Sequence, residues 1–179
     1  MNKKCFVVCP IGEENSSTRQ HSDNVFDYLI SPVCKDLDIE TIRADRINKS
    51  GLITDDIFKN LDSNELVIAD VSHNNPNVFL EIGYRLKSQL PIILINDKND
   101  SEQFPFDISS QRIMSYDLMP NGLEKSKTLL IDYIKNSLQE FDKLRTKLKA
   151  IKANGKIQFM LDDDGNHYPN YFYKSKESD

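Results

Sequence analysis

The 179-residue chain has 28 acidic and 23 basic residues, so its formal net charge is −5. This balance disfavours a nucleic-acid partner, because such binding depends on clustered lysines and arginines that displace counterions from phosphates. Hydrophobic residues make up 39% of the chain and charged residues 28%, which is ordinary for a soluble globular protein, and no apolar run approaches the roughly 18 residues that a membrane span needs. We therefore expect neither a nucleic acid nor a membrane as a partner.

Five strand-like apolar runs alternate with amphipathic segments of helical length, a pattern typical of a parallel sheet covered on both faces. The runs lie at 5–11, 39–45, 66–71, 91–97 and 112–118. Helices are expected from about Asp23, with a break near Pro32, from about Thr54, and from Pro76 with Asn75 as its N-cap. We predict a five-stranded, doubly wound domain that ends near residue 120, with strand order 2-1-3-4-5 by analogy with other sheets of this type.

The segment 123–151 has a different pattern, because its apolar residues recur about every 3.5 positions, close to a heptad seam. These residues are Leu130, Ile134, Leu138, Phe141, Leu144, Leu148 and Ile151. The pattern predicts one long helix, and the turn signal "DDDGN" within 156–174 predicts a terminal β-hairpin. We divide the chain into a domain at 1–120 and an appendage at 121–179. We expect residues 123–173 to assemble a homo-oligomer, a dimer or larger; the alternative is a helix that lies on its own domain.

The chain contains three cysteines, Cys5, Cys9 and Cys34. The first two lie roughly 13 Å apart along one predicted strand and cannot form a disulfide with each other. Free thiols suit a reducing compartment, so we predict a cytoplasmic location. The histidines are scattered along the sequence and no cysteine pair has the spacing of zinc ligands, so we expect no metal and no cofactor.

Polar side chains follow the first three predicted strands. Asp45 ends the second run, Asp70 follows "LVIA" in the third, and the loop after the first contains Ser16, Ser17 and Arg19. Ligands of open α/β sheets bind outside the carboxyl ends of the strands, so these residues are candidate binding groups. The loop residues and the helix start behind them would suit a phosphate, although two glutamates in the same loop are equally consistent with a solvated segment.

The stretch 75–85, "NPNVFLEIGYR", places one carboxylate in an otherwise apolar helix start. Glu81 falls on the flank of the apolar arc, about 60° from Val78 at 100° per residue. One interpretation is a surface ion pair with Arg85 at i,i+4, worth about 0.2–0.5 kcal/mol. The other is that Glu81 reaches the crevice at the edge of the sheet and takes part in chemistry.

Four segments together resemble the nucleoside 2-deoxyribosyltransferase-like family, a relative of the TIR domains. They are "PIG" after the first strand, "RAD" at the end of the second, "VIADVSHNNPNVFLEIGYR" and "PIILIND". The resemblance covers about residues 4 to 120, and the string 67–85 is its most specific part. It implies a five-stranded flavodoxin-like or TIR-like fold and cleavage of the N-glycosidic bond of a nucleoside or nucleotide.

The resemblance also assigns roles to individual residues. It implies that Glu81 is the nucleophile and that Asp70 orients the sugar or assists departure of the base. Asn77 would contact the sugar or fix its loop, and either Asp55 or Asp56 matches a further family acid, of which we take Asp56. The remaining matched substrate-binding positions are Pro10, Ile11, Gly12 and Tyr84.

A glutamate nucleophile fits the chemistry of this bond. Breaking it builds positive charge on the anomeric carbon, which a carboxylate stabilises and can trap covalently in a retaining mechanism. Water then gives hydrolysis, and a second base gives transfer. Two alternatives stay open at this point: a TIR-like NAD hydrolase or effector with the same glutamate, and a non-catalytic module that senses a nucleotide.

Overall fold

A computed structural model describes residues 3–46, 53–109 and 111–153 of the chain. Five parallel strands form one sheet in the order β2-β1-β3-β4-β5, which confirms the predicted order. The strands are β1 (Lys3–Val8), β2 (Ile39–Arg43), β3 (Leu66–Asp70), β4 (Ile92–Asp97) and β5 (Ile113–Tyr116). The fold is therefore the flavodoxin-like α/β architecture that the sequence predicts. The hairpin predicted at 156–174 lies outside the described residues.

The described residues form six α-helices around this sheet. They are α1 (Ser17–Asn24), α2 (Ser31–Asp36), α3 (Ile53–Ser63), α4 (Pro76–Lys87), α5 (Phe106–Ser109) and α6 (Pro120–Ala153). Short 3-10 turns follow two of the strands, at Ala44–Arg46 after β2 and at Ser72–Asn74 after β3. Both turns lie at the carboxyl edge of the sheet, where ligands of such folds bind.

Helix α1 begins at Ser17, so the predicted start near Asp23 is wrong. The Oγ of Ser16 accepts a hydrogen bond from the backbone N of Arg19 at 3.1 Å and so caps the helix. This cap satisfies one of the four N–H groups that a helix start leaves unpaired. The first turns of α1 are polar, which is why apolar periodicity did not detect them.

A π-helical segment, Val25–Ile30, joins α1 to α2. The backbone N–H of Ser31 donates to the carbonyl of Phe26, five residues earlier, instead of the usual four. Pro32 lies in the first turn of α2, where its missing N–H costs least. The break expected near Pro32 thus takes the form of a change in helical register.

Strand side chains alternate between two apolar cores, one on each face of the sheet. The α6 face contains Val7, Ile68 and Ile95 from the strands, packed with residues of the π-helical segment, α2 and α6. The α4 face contains Val8, Ala69 and Leu94, packed with residues of α3, α4 and α5. Strand β3 is buried along its whole length, as expected of a central parallel strand.

The first half of α6 is part of the α6-face core. Leu130 and Ile134 are 0% exposed there, and Leu138 packs against them partly buried. The chain divides into two compact units, 1–141 and 142–179, so α6 contributes to both. The assignment of 121–179 to an assembly element stays a prediction. None of the helices in the described part of the chain combines the length and the apolarity needed to cross a bilayer.

Shortening one core side chain of α6 tests its role in the first unit. We expect Leu130→Ala to lower the free energy of unfolding by about 2–5 kcal/mol, because it leaves a cavity against the sheet. Leu129→Ala is the matched control, because the Leu129 side chain is 37% exposed. This substitution should lower the free energy of unfolding by less than about 1 kcal/mol. Urea unfolding followed by circular dichroism measures both. Equal effects would show that α6 does not complete the core.

Candidate active site

Helix α4 starts where the sequence predicts. The Oδ1 of Asn75 accepts hydrogen bonds from the backbone N of Asn77 at 2.9 Å and of Val78 at 3.4 Å. Pro76 is the first helical residue, a position that its fixed φ suits. The buried stripe of α4 is formed by Val78, Ile82 and Arg85. The helix therefore leaves the carboxyl end of β3 in a fixed direction.

Glu81 lies half-buried on the flank of that stripe. It makes no hydrogen bond or ion pair within the described part of the chain, and burial alone raises the pKa of its carboxyl to about 7. No countercharge offsets the loss of hydration, so the anion is held at higher energy than in water. Gly83, two residues on, is exposed, and a Cβ built there meets nothing within 4 Å. This open space lies on another side of α4, because residues two apart in a helix do not face each other.

Arg85 does not pair with Glu81, so the predicted surface ion pair is wrong. Its guanidinium is 0% exposed and donates to the carbonyl oxygens of Leu61, of Asn64 at 2.9 Å and of Pro91 at 3.0 Å. Burial lowers the pKa of Arg85 to about 10. The side chain joins the end of α3 to the start of β4 and leaves Glu81 without a cation.

Asp70 is fully buried at the end of β3. Its Oδ1 accepts from the backbone N of Ser72 at 3.0 Å and from the Oγ of Ser72 at 2.5 Å, and its Oδ2 accepts from the Tyr116 hydroxyl at 2.9 Å. Burial raises the pKa of Asp70, and these hydrogen bonds oppose the rise. Both carboxylate oxygens are occupied by protein groups, so Asp70 can influence a ligand only through its neighbours.

His21 of α1 extends this buried network and was not among the predicted site residues. Its Nε2 lies 2.8 Å from the Tyr116 hydroxyl and 3.8 Å from Oδ2 of Asp70, and its Nδ1 lies 4.0 Å from Oδ2 of Asp97. Asp70, Asp97 and Tyr116 are the last residues of β3, β4 and β5. The imidazole therefore lies directly over the carboxyl edge of the sheet, and its side chain is 20% exposed.

The loop side chains expected to bind a phosphate or a sugar already have protein partners. Arg19 contacts Asp45 at 2.6 Å and Asp23 at 3.4 Å. Asp45 also accepts two hydrogen bonds from the buried Arg43, at 2.6 and 2.8 Å. Burial raises the pKa of Asp45, but Arg43 and then Arg19 outweigh it and hold the pKa below its usual value. A phosphate would compete with two carboxylates for Arg19.

The "PIG" residues shape the turn after β1. Pro10 is buried and its carbonyl accepts from the Oγ of Ser22 at 2.5 Å, whereas Ile11 is 45% exposed. A Cβ at Gly12 would collide with the capping hydroxyl of Ser16, so only glycine lets the loop approach the start of α1. Ser17 is exposed.

The remaining predicted residues lie on α3 and α4. Asn77 is exposed in the first turn of α4, and Asp56 is partly buried on α3. The Tyr84 hydroxyl donates to Asp62 at 2.7 Å, and its ring lies 4.5 Å from that of Phe58. Tyr84 thus joins α4 to α3, a structural contact that does not exclude a ligand on its other side.

Two amide oxygens are buried without a hydrogen-bond partner among the described residues, the Oδ1 atoms of Asn74 and Asn96. Asn74 lies in the turn before α4, and Asn96 is the penultimate residue of β4. By the alternation of β4, the Asn96 side chain lies on the α4 face with Leu94. An unpaired buried acceptor costs about 1–3 kcal/mol, so each oxygen is a local cost to stability.

One group of metal-ligand type occurs among the described residues, formed by His73, Asp100 and Glu102 within 4.8 Å. Asp100 accepts backbone hydrogen bonds from His73 at 2.7 Å and Glu102 at 3.0 Å, and Glu102 accepts from Asn74 at 3.0 Å. Although the histidines are scattered along the sequence, the rings of His21 and His73 lie 5.5 Å apart.

The three cysteines are buried and free. Burial raises the pKa of Cys5 well above its usual value and that of Cys9 to about 12. Thiols with raised pKa values carry little thiolate at neutral pH and are poor nucleophiles. Among the described side chains, the carboxylate of Glu81 is the better candidate for covalent chemistry.

Comparisons with known proteins do not establish the function. No protein-family model and no curated protein matches the chain. Among solved structures, a 2-deoxyribosyltransferase from the psychrotolerant bacterium Bacillus psychrosaccharolyticus is 11% identical, with 64% of this chain and 85% of that one covered and a TM-score of 0.47. A fusion carrying the yeast Spc42 trimeric coiled coil is 12% identical, with 86% and 92% covered and a TM-score of 0.44.

The Francisella novicida lysine decarboxylase LdcF is 14% identical, with 76% of this chain and 17% of that chain covered and a TM-score of 0.45. Likenesses at these identities and TM-scores carry no argument about activity. The functional proposal therefore depends on the side chains at the carboxyl edge of the sheet.

Removing the Arg85 guanidinium tests whether it holds α4 in place. We expect Arg85→Leu to lower the free energy of unfolding by about 3 kcal/mol or more, because it leaves three buried carbonyl oxygens short of a donor. Lys87→Leu, at an exposed position of the same helix, should change it by less than about 0.5 kcal/mol. Urea unfolding of both variants gives the comparison. A small effect at Arg85 would mean that its hydrogen bonds are dispensable.

Proposed function

We propose that the protein is an N-glycosidase that cleaves the base–sugar bond of a nucleoside or nucleotide, with Glu81 as the nucleophile. The observation that supports this most is a half-buried carboxylate without a partner among the described residues, on a helix that starts at the carboxyl edge of the sheet. A structural glutamate in such a position is normally paired, because an isolated buried charge is costly.

The missing countercharge matters for the reaction. Departure of the base leaves positive charge on the sugar ring, and a carboxylate about 3.5 Å away attracts it by about 5 kcal/mol at an effective dielectric constant near 20. An arginine beside Glu81 would cancel much of this attraction. Because Arg85 is bound to backbone carbonyls instead, the full charge of Glu81 is available to the transition state.

The covalent step follows from this arrangement. Attack by a Glu81 oxygen on the anomeric carbon gives a glycosyl–enzyme with inverted configuration, and water inverts it again, so hydrolysis proceeds with retention. Transfer to a second base differs only in the group that attacks the intermediate. The retaining outcome is part of the proposal.

Neighbouring polar groups suit a sugar. Asn77 lies four residues before Glu81, so the two side chains are neighbours on the surface of α4, with Cβ atoms about 5–6 Å apart. We assign Asn77 to the sugar and Ser16, Ser17 and Arg19 to a phosphate contact.

Replacing the nucleophile tests the proposal directly. Wild-type protein is incubated with deoxynucleotides, ribonucleotides, nucleosides and NAD, and free base is measured by chromatography. We expect Glu81→Gln to reduce base release by roughly 10³-fold or more, as loss of a nucleophile does in other enzymes. Glu124→Gln, an exposed carboxylate on α6, is the control and should keep full activity.

Each result has a defined meaning. Full activity of Glu81→Gln would overturn the proposal, as would the absence of base from every substrate. Release of nicotinamide alone would favour the TIR-like NAD hydrolase. Nucleotide binding without turnover would favour the sensing module.

The raised pKa of Glu81 predicts the pH dependence of the reaction. The nucleophile must be ionised and burial raises its pKa to about 7, so kcat/KM should rise with pH, about tenfold per unit below 7, and level off above it. An unperturbed glutamate would be fully active already near pH 5.5. Initial rates of base release between pH 5 and 9 distinguish the two cases, and a flat profile from pH 5 to 8 would contradict the assignment.

A further inference from the structure

The network around His21 determines which imidazole nitrogen carries a proton. The Tyr116 hydroxyl donates its one proton to Oδ2 of Asp70, so its oxygen can only accept from another group. His21 Nε2 lies 2.8 Å from that oxygen, so this network favours the tautomer with the hydrogen on Nε2. In neutral His21 the lone pair is consequently on Nδ1.

The Nδ1 atom of His21 makes no hydrogen bond within the described part of the chain. Its nearest ion partner in the described structure is Oδ2 of Asp97 at 4.0 Å, beyond a direct hydrogen bond. The His21 side chain is 20% exposed, whereas that of Asp70 is 0% exposed. A proton on Nδ1 can therefore be exchanged with a ligand, and a proton on Asp70 cannot be delivered directly.

We propose that His21 is the acid–base residue that protonates the departing base and then activates the attacking water, in the reaction assigned above to Glu81. The inference rests on that proposed function. His21 belongs to α1, which follows β1, and Glu81 belongs to α4, which follows β3. These strands are neighbours whose connections run to opposite faces of the sheet, and the crevice between such connections is where ligands of these folds bind.

The atoms balance over both half-reactions. A Glu81 oxygen bonds to the anomeric carbon while the bond from that carbon to the base nitrogen breaks, and its electron pair stays on the base. The imidazolium of His21 gives its Nδ1 proton to the base. Water then attacks the anomeric carbon, the bond to Glu81 breaks, and the water proton goes to Nδ1, which restores the starting state.

Several charged or titratable groups face the His21 ring. Asp70, at 3.8 Å, and Asp97, at 4.0 Å, come from strand ends on one side, and Asp100 interacts with His21 through its charge. The ring of His73 contacts His21 edge-on at 5.5 Å, and Tyr116 is the remaining titratable neighbour. Asp70 and Tyr116 thus act as positioning residues for His21, because they orient the ring without contacting the substrate.

The test uses the fact that some leaving groups need no proton. His21→Gln keeps an amide donor for Tyr116 and removes the atom that titrates. For the nucleotide cleaved fastest in the panel above, we expect kcat/KM to fall by roughly 10²–10⁴-fold. For 4-nitrophenyl β-ribofuranoside, whose phenolate leaves unprotonated, we expect less than a tenfold loss. The neighbouring His73→Gln is the matched control and should retain near wild-type rates on both substrates.

Tyr116→Phe gives an independent readout, because it removes the hydroxyl that orients the His21 ring. We expect it to lower kcat/KM for the nucleotide more than for the nitrophenyl ribofuranoside. Equal losses on both substrates in His21→Gln would overturn the assignment. Glu81→Gln should abolish both reactions, so failure of the nucleophile and failure of the acid–base residue are distinguishable.

A measurement without turnover tests the proton arrangement. Nitrogen-15 NMR of the histidine rings in full-length protein should show neutral His21 as the Nε2-protonated tautomer, and Tyr116→Phe should remove that preference. Protonation of neutral His21 at Nδ1 would overturn the inference even if catalysis were lost for other reasons. Circular dichroism of each variant confirms that the fold is intact, and His21→Asn provides a second variant if His21→Gln does not fold.

Discussion

The buried guanidinium of Arg85 is the interaction on which the site depends. Taking a guanidinium out of water is costly and is tolerated only when its donors are bound, here by carbonyl oxygens of Leu61, Asn64 and Pro91. Arginine suits this role because its planar fork presents several N–H groups at once. The same interaction fixes α4 against the end of α3 and the start of β4, and it removes the cation nearest in sequence to Glu81. Stability and reactivity of α4 are therefore set by one side chain.

Hydrophobic patterning and helix-capping residues correctly predicted most of the strands and helices. The five strands, the start of α4 at Asn75 and Pro76, and the polar residues at strand ends follow from patterning and capping, whereas the strand order was predicted by analogy with other sheets of this type. The start of α1 was missed because a capping serine followed by polar residues carries no apolar periodicity. The burial of two hydrophobic residues of α6 in the first unit also follows from the predicted spacing, although the pattern does not specify the partner surface.

The features that the sequence did not predict correctly depend on tertiary contacts. The pairing of Glu81 with Arg85 was the natural expectation for an exposed helix, but the carbonyls that bind Arg85 lie on other elements. His21 was missed because its partner Tyr116 is 95 positions away and the link from Tyr116 to Asp70 spans a further 46. Arg19 and Asp45, both predicted to bind a ligand, also bind each other. Each of these contacts joins residues of different helices, strands or loops, so no local pattern in the sequence could show it.

The π-helical segment Val25–Ile30 sets the rotation of α1 about its axis. It accommodates one more residue in that turn than an α-helix does, and one residue corresponds to about 100° of rotation around a helix axis. A chain lacking that extra residue could keep its apolar side chains against the sheet, yet everything before the segment would turn by more than a quarter of a circle. The imidazole would then point away from the ends of three strands. The extra residue of this segment is therefore what directs His21 toward the ends of the strands.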